Sequence, residues 1–288
     1  MLVNELIRRI HEFELLCQKL TQQTLAGLFK SSFKGRGLVI DQIRRYEMGD
    51  NVKDIDWNVT ARFRETFVKT FTQESERLIW IVIDVSGSAT HGTDAQSKYE
   101  AEMVLGAALA YSAIESNDRV GVIFYSDRME GLIQPARGKA HFWRIAHELV
   151  GRKSSGGATD VACALSFLMN TNTKHSLVFL LSDFVANDYP SISMVLAEQH
   201  ELIAIRVTDE TDGKFPAAGW VRLQDAESGL SRWVNTSSPA FRGLYQQHHA
   251  RLENQFTQVF ASSAVRSLSV SVQEKYLEHL ISFLQNQG

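Results

Sequence analysis

The chain has 288 residues, of which 33 are acidic and 30 basic, so its formal net charge is −3. An apolar content of 44% supports a sizeable core, and the length allows one large domain or two smaller ones. The slight acidic excess argues against a general nucleic-acid or anionic-membrane binder, because such proteins normally carry a basic excess. The two cysteines, Cys17 and Cys163, can form neither a disulfide framework nor a CxxC zinc site.

The first twenty residues have the pattern of an amphipathic helix and not that of an export signal. Apolar residues recur there at three- and four-residue steps, and charged residues interrupt them. The apolar stripe consists of Leu2, Leu6, Ile10, Phe13, Cys17 and Leu20. The longest apolar run in the chain, residues 78–83, is much shorter than the roughly 18 residues that span a bilayer. We therefore expect a cytoplasmic protein without membrane insertion.

A change of pattern follows this helix. Turn-forming residues cluster at 35–37 (Gly-Arg-Gly) and 48–51 (Met-Gly-Asp-Asn), and residues 65–76 alternate in places like a strand. No long helix fits this stretch, which predicts a small β-rich segment. Together with the preceding helix it forms the first predicted domain, residues 1–77, and the second comprises residues 78–288.

From residue 78 onward, short apolar strands alternate with helices. The run at residues 78–83 is apolar throughout, which is typical of a strand buried on both faces of a parallel sheet. Further strands are predicted at residues 119–125, 129–134, 175–181, 201–207 and 268–272, and a separate hairpin at 220–235. Helices are predicted at residues 99–116, 139–150, 160–170, 192–199 and 275–285, and one begins at Ser238-Pro239. This alternation predicts an α/β fold with a mostly parallel central sheet and helices on both faces.

Three segments rich in oxygen donors follow these strands or open a helix. Asp84-Val85-Ser86-Gly87-Ser88 follows the first strand, Ser182-Asp183 follows the fourth, and residues 156–160 (Gly-Gly-Ala-Thr-Asp) open a helix. Ligands of open α/β sheets bind beyond the carboxyl ends of the strands, so the three segments should meet there. Carboxylates and hydroxyls suit Mg²⁺ or Mn²⁺ better than zinc. The alternative is that these residues are only helix caps and turn formers.

These segments carry a family resemblance. Residues 78 to about 271 resemble a Rossmann-like von Willebrand factor A-type domain, and the three segments resemble its metal-ion-dependent adhesion site. The resemblance implies that the metal ligands are Asp84, Ser86, Ser88, Thr159 and Asp183. In that family the metal keeps one open position, which accepts a carboxylate from a protein partner.

A second signature precedes the first apolar strand. Residues 44–50 (Arg-Arg-Tyr-Glu-Met-Gly-Asp), 55–57 (Ile-Asp-Trp) and 60–62 (Thr-Ala-Arg) resemble bacterial domain-of-unknown-function family fifty-eight, in its soluble form. This resemblance implies a partnership with a MoxR-type AAA+ ATPase. Met48 and Ala89 depart from the usual proline and methionine of the family, and neither departure removes a metal ligand.

The charged residues of this signature admit two interpretations. We expect Asp50, Asp56 and Arg62 to form a structural ion-pair network and Trp57 to fill a core position, because buried charges must be paired. The alternative is that these residues bind a partner.

Two classes of function remain open. The leading hypothesis is a non-enzymatic module that uses its metal to bind an acidic side chain of a partner, in ATPase-linked complex assembly or maturation. The alternative is a Mg²⁺-dependent hydrolase or phosphatase that uses Asp84, although Ser86 stands where such chemistry usually has a second carboxylate. The chain has no Gly-x-x-x-x-Gly-Lys-[Ser/Thr] motif, so we do not expect it to hydrolyse ATP through a P-loop.

Overall fold

A computed structural model describes residues 39–63, 65–72, 77–87, 97–154, 158–172, 174–185, 189–209, 212, 217–224, 231–261 and 265–285. The predicted helix in residues 2–20 and the predicted ligand Ser88 lie outside these residues. The chain divides into two compact units, and the boundary between them falls between Arg77 and Leu78. In the described parts of the chain, none of the helices combines the length and the hydrophobicity that a membrane crossing requires.

The smaller unit contains two paired strands and one short helix. Strands β1 (Val39–Arg45) and β2 (Phe67–Thr72) pair antiparallel, as the predicted β-rich segment requires. Between them lie a 3₁₀ turn, Val52–Asp54, and helix α1, Trp57–Phe63. The sequence did not predict α1, because seven residues are too few to display a helical apolar period.

Asp50 of the signature is a local structural residue. Its carboxylate accepts two hydrogen bonds from the Arg44 guanidinium, at 2.9 and 2.7 Å, and a third from the Glu47 backbone N–H at 2.8 Å. The hydrogen bond from Arg44 lowers the pKa of Asp50. The ion pair therefore forms with Arg44 and not with Arg62, so the predicted partner was wrong. Arg44 lies on the strand next to the turn that carries Asp50, which makes it the nearer choice.

The prediction that Trp57 fills a core position is also wrong. Its side chain is 66% exposed. Helix α1 contains no buried residue, so the described residues form no core against this helix in which an indole could be buried.

Asp56 caps the start of α1, and its replacement by alanine should weaken that helix. Its carboxylate accepts hydrogen bonds from the N–H groups of Asn58 (2.9 Å) and Val59 (3.1 Å), which have no partner within the helix. We expect Asp56→Ala to cost about 1 kcal/mol of local stability, measured as faster amide hydrogen exchange in Trp57–Phe63. Asp54→Ala, which removes a nearby carboxylate that does not cap α1, is the matched control. Equal exchange in both variants would contradict the capping role.

The larger unit is built on a six-stranded sheet. The strands of this sheet are β3 (Leu78–Asp84), β4 (Arg119–Tyr125), β5 (Met129–Ala136), β6 (Leu177–Ser182), β7 (Glu201–Thr208) and β10 (Arg266–Ser271). A separate hairpin contains β8 (Trp220–Gln224) and β9 (Ser231–Asn235). The order across the sheet is β10-β7-β6-β3-β4-β5, and β8 and β9 form the hairpin. All neighbours in the six-stranded sheet run parallel except β5, which pairs antiparallel with β4.

Helices cover both faces of this sheet. They are α2 (Lys98–Glu115), α3 (Lys139–Gly151), α4 (Val161–Thr171), α5 (Tyr189–Gln199), α6 (Pro239–Ala261) and α7 (Tyr276–Gln285). Trp80 and Val82 of β3 join a core cluster with residues of α4, α5 and α6. On the opposite face, Gly106 of α2 approaches so closely that an added Cβ would lie 2.7 Å from Cδ1 of Ile83. The predicted α/β class, with a mostly parallel sheet between two layers of helices, is confirmed.

The parallel arrangement gathers the ends of five strands at one edge of the sheet. Because β3, β4, β6, β7 and β10 all run the same way, their last residues lie along one line, which we call the carboxyl edge. Asp84 ends β3 opposite Tyr125 of β4, and Ser182 ends β6. The segments singled out from the sequence follow these ends.

Candidate functional site

Asp84 lies at the centre of the carboxyl edge and is completely buried. One oxygen, Oδ1, accepts a hydrogen bond from the Ser86 backbone N–H at 2.9 Å. The other, Oδ2, accepts one from the Ser182 hydroxyl at 2.8 Å, so Asp84 links the loop after β3 to the end of β6. These bonds fix the orientation of the carboxylate.

Ser86 and Thr159 meet directly at this edge. The Thr159 hydroxyl donates to Oγ of Ser86 at 2.8 Å, although the two residues lie 73 positions apart in the chain. Ser154 fixes the loop from the other side, because its hydroxyl lies 3.1 Å from the carbonyl oxygen of Val85 and 2.8 Å from that of Ser86. Asp160, next to Thr159, caps α4 by accepting the Cys163 N–H at 2.8 Å. Local capping thus holds Thr159 in place.

Asp183 follows β6 and is also buried. Its Oδ1 accepts the Val185 N–H at 3.1 Å, and its Oδ2 accepts from the Lys98 ammonium at 3.1 Å. The Arg206 guanidinium donates to the backbone carbonyl of Asp183 at 3.3 Å. The carboxylate is therefore held between the loop after β6 and the start of α2.

The structure thus positions four of the five sequence-predicted ligands around the carboxyl edge. Ser86 and Thr159 are hydrogen-bonded to each other, and Asp183 is close enough to Asp84 that its charge raises the pKa of Asp84. The fifth, Ser88, lies outside the described residues, as do Gly156 and Gly157 of the loop before Thr159.

Buried negative charge accumulates at this site. Burial, followed by the charge of Asp183, raises the pKa of Asp84 to about 7. Glu102 of α2 is completely buried, and neither of its carboxylate oxygens has a hydrogen-bond partner among the described residues. Burial and the charges of Asp84 and Asp183 raise the pKa of Glu102 well above its ordinary value. Among the described residues, the charge of Lys98 opposes this rise. The cluster of buried carboxyl groups therefore favours an additional cation.

The sequence reasoning missed Lys98 and Glu102. Both lie in α2, most of whose residues are buried, and a separation of four residues puts them on the same face. Two charged residues on one face of a buried helix are a usable signal, because burial of unpaired charge is costly. That signal indicates a charged partner in the fold but does not identify it.

The oxygen donors at this edge are of the chemical type that Mg²⁺ and Mn²⁺ prefer. The hydroxyl oxygens of Ser86 and Thr159 lie 2.8 Å apart, an ordinary hydrogen-bond distance that brings two such donors together. Within the described ranges, no group of three or more His, Cys, Asp or Glu side chains is arranged to hold a metal, so a divalent ion here would depend on the hydroxyls and on water.

Comparison with known proteins places the chain in a family. A family model described as "Protein of unknown function DUF58" matches residues 42–255, which is more than half of the chain. A Mycobacterium tuberculosis protein described as "Uncharacterized protein Rv1480" is 24% identical over 286 residues, which cover 98% of this chain and 90% of that protein.

Among solved structures, similar chains include a conserved hypothetical protein, BatB, from Bacteroides thetaiotaomicron. Its TM-score is 0.46 at 12% identity, and the match covers 73% of this chain and 98% of that one. The SpRpn10 VWA domain matches with a TM-score of 0.41 at 10% identity and covers 74% of this chain and 96% of its own.

Proposed function

The chain belongs to the family described as protein of unknown function DUF58. From the geometry of the carboxyl edge, we propose that it is a non-enzymatic, metal-dependent protein-binding module. In this proposal Asp84, Ser86, Ser88, Thr159 and Asp183 hold Mg²⁺ or Mn²⁺ at the carboxyl edge. A position left open on the ion binds an acidic side chain of a partner protein. The bound ion would supply the positive charge that attracts this carboxylate.

The observation that carries the proposal is the contact between the Ser86 and Thr159 hydroxyls beside the buried carboxylate of Asp84. Two loops remote in sequence present hard oxygen donors at one point, within hydrogen-bond distance of each other. The surplus of buried carboxylates around that point supports the same conclusion, since such groups need a cation or a proton.

The alternative, a hydrolase that uses Asp84 as a nucleophile, has no observation in its favour. Both oxygens of Asp84 accept hydrogen bonds, and the side chain is completely buried. A nucleophile must be accessible to its substrate. These constraints suit a carboxylate that organises a loop and contributes to ion binding.

We further propose that the partner is a MoxR-type AAA+ ATPase, that the complex works in chaperone-like assembly or maturation, and that it does so in the cytoplasm. The family resemblance motivates this choice of partner. The test is co-expression with a MoxR-type AAA+ ATPase of the same organism, followed by co-purification in Mg²⁺ and in EDTA. Association that requires Mg²⁺ and is lost in Asp84→Ala would support the proposal. Association that persists in EDTA and in Asp84→Ala would refute metal-dependent binding.

Mg²⁺ or Mn²⁺ should stabilise the wild-type protein. An ion that binds only the folded state, at ten times its dissociation constant, adds about 1.4 kcal/mol, or roughly 3–6 °C in melting temperature for a protein of this size. Asp84→Ala and Ser86→Ala should abolish this shift, because each removes a donor from the proposed site. The measurement is thermal unfolding with added metal compared with EDTA.

Asp127→Ala is the matched control for this experiment. Asp127 is an exposed aspartate that follows β4 at the same edge and is not a proposed ligand. Its metal-induced shift should equal that of the wild type. An unchanged wild-type melting temperature in both metals would refute the metal site. Metal-dependent turnover of p-nitrophenyl phosphate that is lost in Asp84→Ala would instead favour the hydrolase.

A further inference from the structure

Lys98 occupies a position that is unfavourable for a positive charge. It is the first residue of α2, where the helix dipole is positive, and its side chain is only 4% exposed. Burial alone would lower its pKa, but the charges of Asp183 and Asp212 outweigh burial and raise it. The ammonium is therefore held at this position by carboxylates, one of which belongs to the proposed metal site.

The contacts of Lys98 place it between two carboxylates. Its Nζ lies 3.1 Å from Oδ2 of Asp183, and 3.3 and 3.4 Å from the two oxygens of Asp212. Asp183 uses its other oxygen to accept the Val185 N–H. Oδ2 of Asp183, the oxygen that remains for a metal or its bound water, is thus the one that Lys98 contacts.

Asp212 is anchored independently of Lys98. Its Oδ2 accepts the backbone N–H of Asp209 at 2.9 Å, and its own N–H donates to the Asp209 carbonyl at 2.9 Å. The turn after β7 therefore fixes the second carboxylate at a set distance from the ammonium. Asp212 draws Lys98 away from Asp183, whereas Asp183 draws it toward the metal site.

We propose that Lys98 is the residue that sets the divalent-ion affinity of this site, as a built-in cation that competes with the metal for Asp183, and that Asp212 is the positioning residue that holds Lys98 back. This inference rests on the proposed metal site and deepens it. The ammonium neutralises part of the buried carboxylate cluster when no ion is bound. When a divalent ion binds, it meets both the repulsion of Lys98 and its competition for Oδ2.

Removal of the ammonium should therefore strengthen metal binding. Lys98→Met keeps the length and apolar stem of the side chain but removes the ammonium that contacts Asp183 and whose charge acts on Glu102. We expect this variant to bind Mn²⁺ at least about tenfold more tightly than the wild type, which corresponds to about 1.4 kcal/mol. It should also melt at a lower temperature in EDTA and gain more from added metal.

The change at Asp212 should act in the opposite direction. Asp212→Asn removes the carboxylate that holds Lys98 back, so the ammonium should bind Asp183 more strongly and Mn²⁺ should bind severalfold more weakly. In the Lys98→Met background most of this loss should disappear, because Asp212 acts mainly through Lys98. The coupling of the two changes in a double-mutant cycle measures that dependence.

The experiment is calorimetric titration of Mn²⁺ and of Mg²⁺ into the full chain, at one pH, for both single variants, the double variant and a control. Lys174→Met is the control, because it removes an exposed lysine that precedes β6 at the opposite edge of the sheet. It should bind metal as the wild type does. A purely structural role for Lys98 would lower the melting temperature without tightening metal binding.

The outcomes separate this inference from the proposed function. If the wild type binds metal and Lys98→Met binds no more tightly, the role of Lys98 is refuted while the metal site stands. If neither protein binds metal, both are refuted. If only Lys98→Met binds, Lys98 competes as inferred, and metal-dependent binding by the wild type is refuted. If Lys98→Met does not fold, the metal affinity of Asp212→Asn tests the inference. Metal binding by Asp212→Asn that is as tight as in the wild type, or tighter, overturns the inference.

Discussion

Replacement of Phe184 by alanine is expected to lower the free energy of unfolding by about 3–5 kcal/mol. Phe184 directly follows Asp183 and is 1% exposed. Its ring packs against three other aromatic rings, with centroid distances of 5.1 Å to Tyr189, 4.9 Å to Phe256 and 5.8 Å to Phe260. Truncation would leave a cavity among rings contributed by α5 and α6 and would remove their edge-to-face contacts.

Chemical denaturation should measure this loss against two further variants. Phe184→Leu keeps most of the buried volume and should lose clearly less than the alanine variant. Val185→Ala removes a side chain that is 40% exposed at the next position and should change the unfolding free energy by less than about 1 kcal/mol. An alanine variant within about 1 kcal/mol of the wild type would show that this cluster does not hold the loop after β6.

Asp84→Asn is expected to stabilise the protein increasingly as the pH rises, when no divalent ion is present. Burial and Asp183 raise the pKa of Asp84 in the folded state from 3.8 to about 7. Between these values the folded state holds a proton that the unfolded state has lost. The wild type therefore loses stability as the pH rises through this window. Over the full window the loss amounts to up to about 4 kcal/mol, because one pKa unit corresponds to about 1.4 kcal/mol.

Asparagine does not titrate, so the difference between variant and wild type isolates this effect. Denaturation in EDTA at several pH values from 4 to 8 should show the smallest advantage for Asp84→Asn at the acid end. The advantage should grow until the pH reaches about 7 and then level off. Asp127→Asn, an exposed aspartate at the same edge, should show no such trend. A constant difference across this range, or one of the opposite sign, would contradict a raised pKa at Asp84.

Added Mg²⁺ should narrow the difference in stability between these two proteins at the basic end of the range. A bound divalent ion favours the ionised carboxylate, so it should reduce the decline of the wild type with pH. The neutral variant should gain little. This dependence on Mg²⁺ connects the electrostatics of the site to the proposed metal and requires no knowledge of the partner.

Much of the larger unit was predictable because its strands are buried on both faces. Strands Leu78–Asp84 and Leu177–Ser182 are apolar up to their last residue, because helices cover the sheet above and below them. The predicted boundaries of the helices and strands in this unit lie within three residues of the observed ones. The smaller unit was less predictable. Its helix α1 is too short to show a period, and the position of Trp57 depends on whether a core lies against it.

The candidate ligands were predictable for a related reason. Asp84 and Asp183 directly follow apolar strands, and parallel strands end at one edge, so a local pattern already implied a common location. The contact of Thr159 with Ser86 follows from the same rule, because the helix that Thr159 precedes begins at that edge.

Local sequence thus determined which residues reach the carboxyl edge, since periodicity and strand ends are properties of neighbouring residues. Only the tertiary structure decided the electrostatic partners. Lys98 meets Asp183 across 85 positions and Asp212 across 114, and the carboxyl oxygens of Glu102 have no hydrogen-bond partner within the described ranges. Such pairings depend on the order of strands in the sheet and on the helix that covers them, because charges act through space and not along the chain.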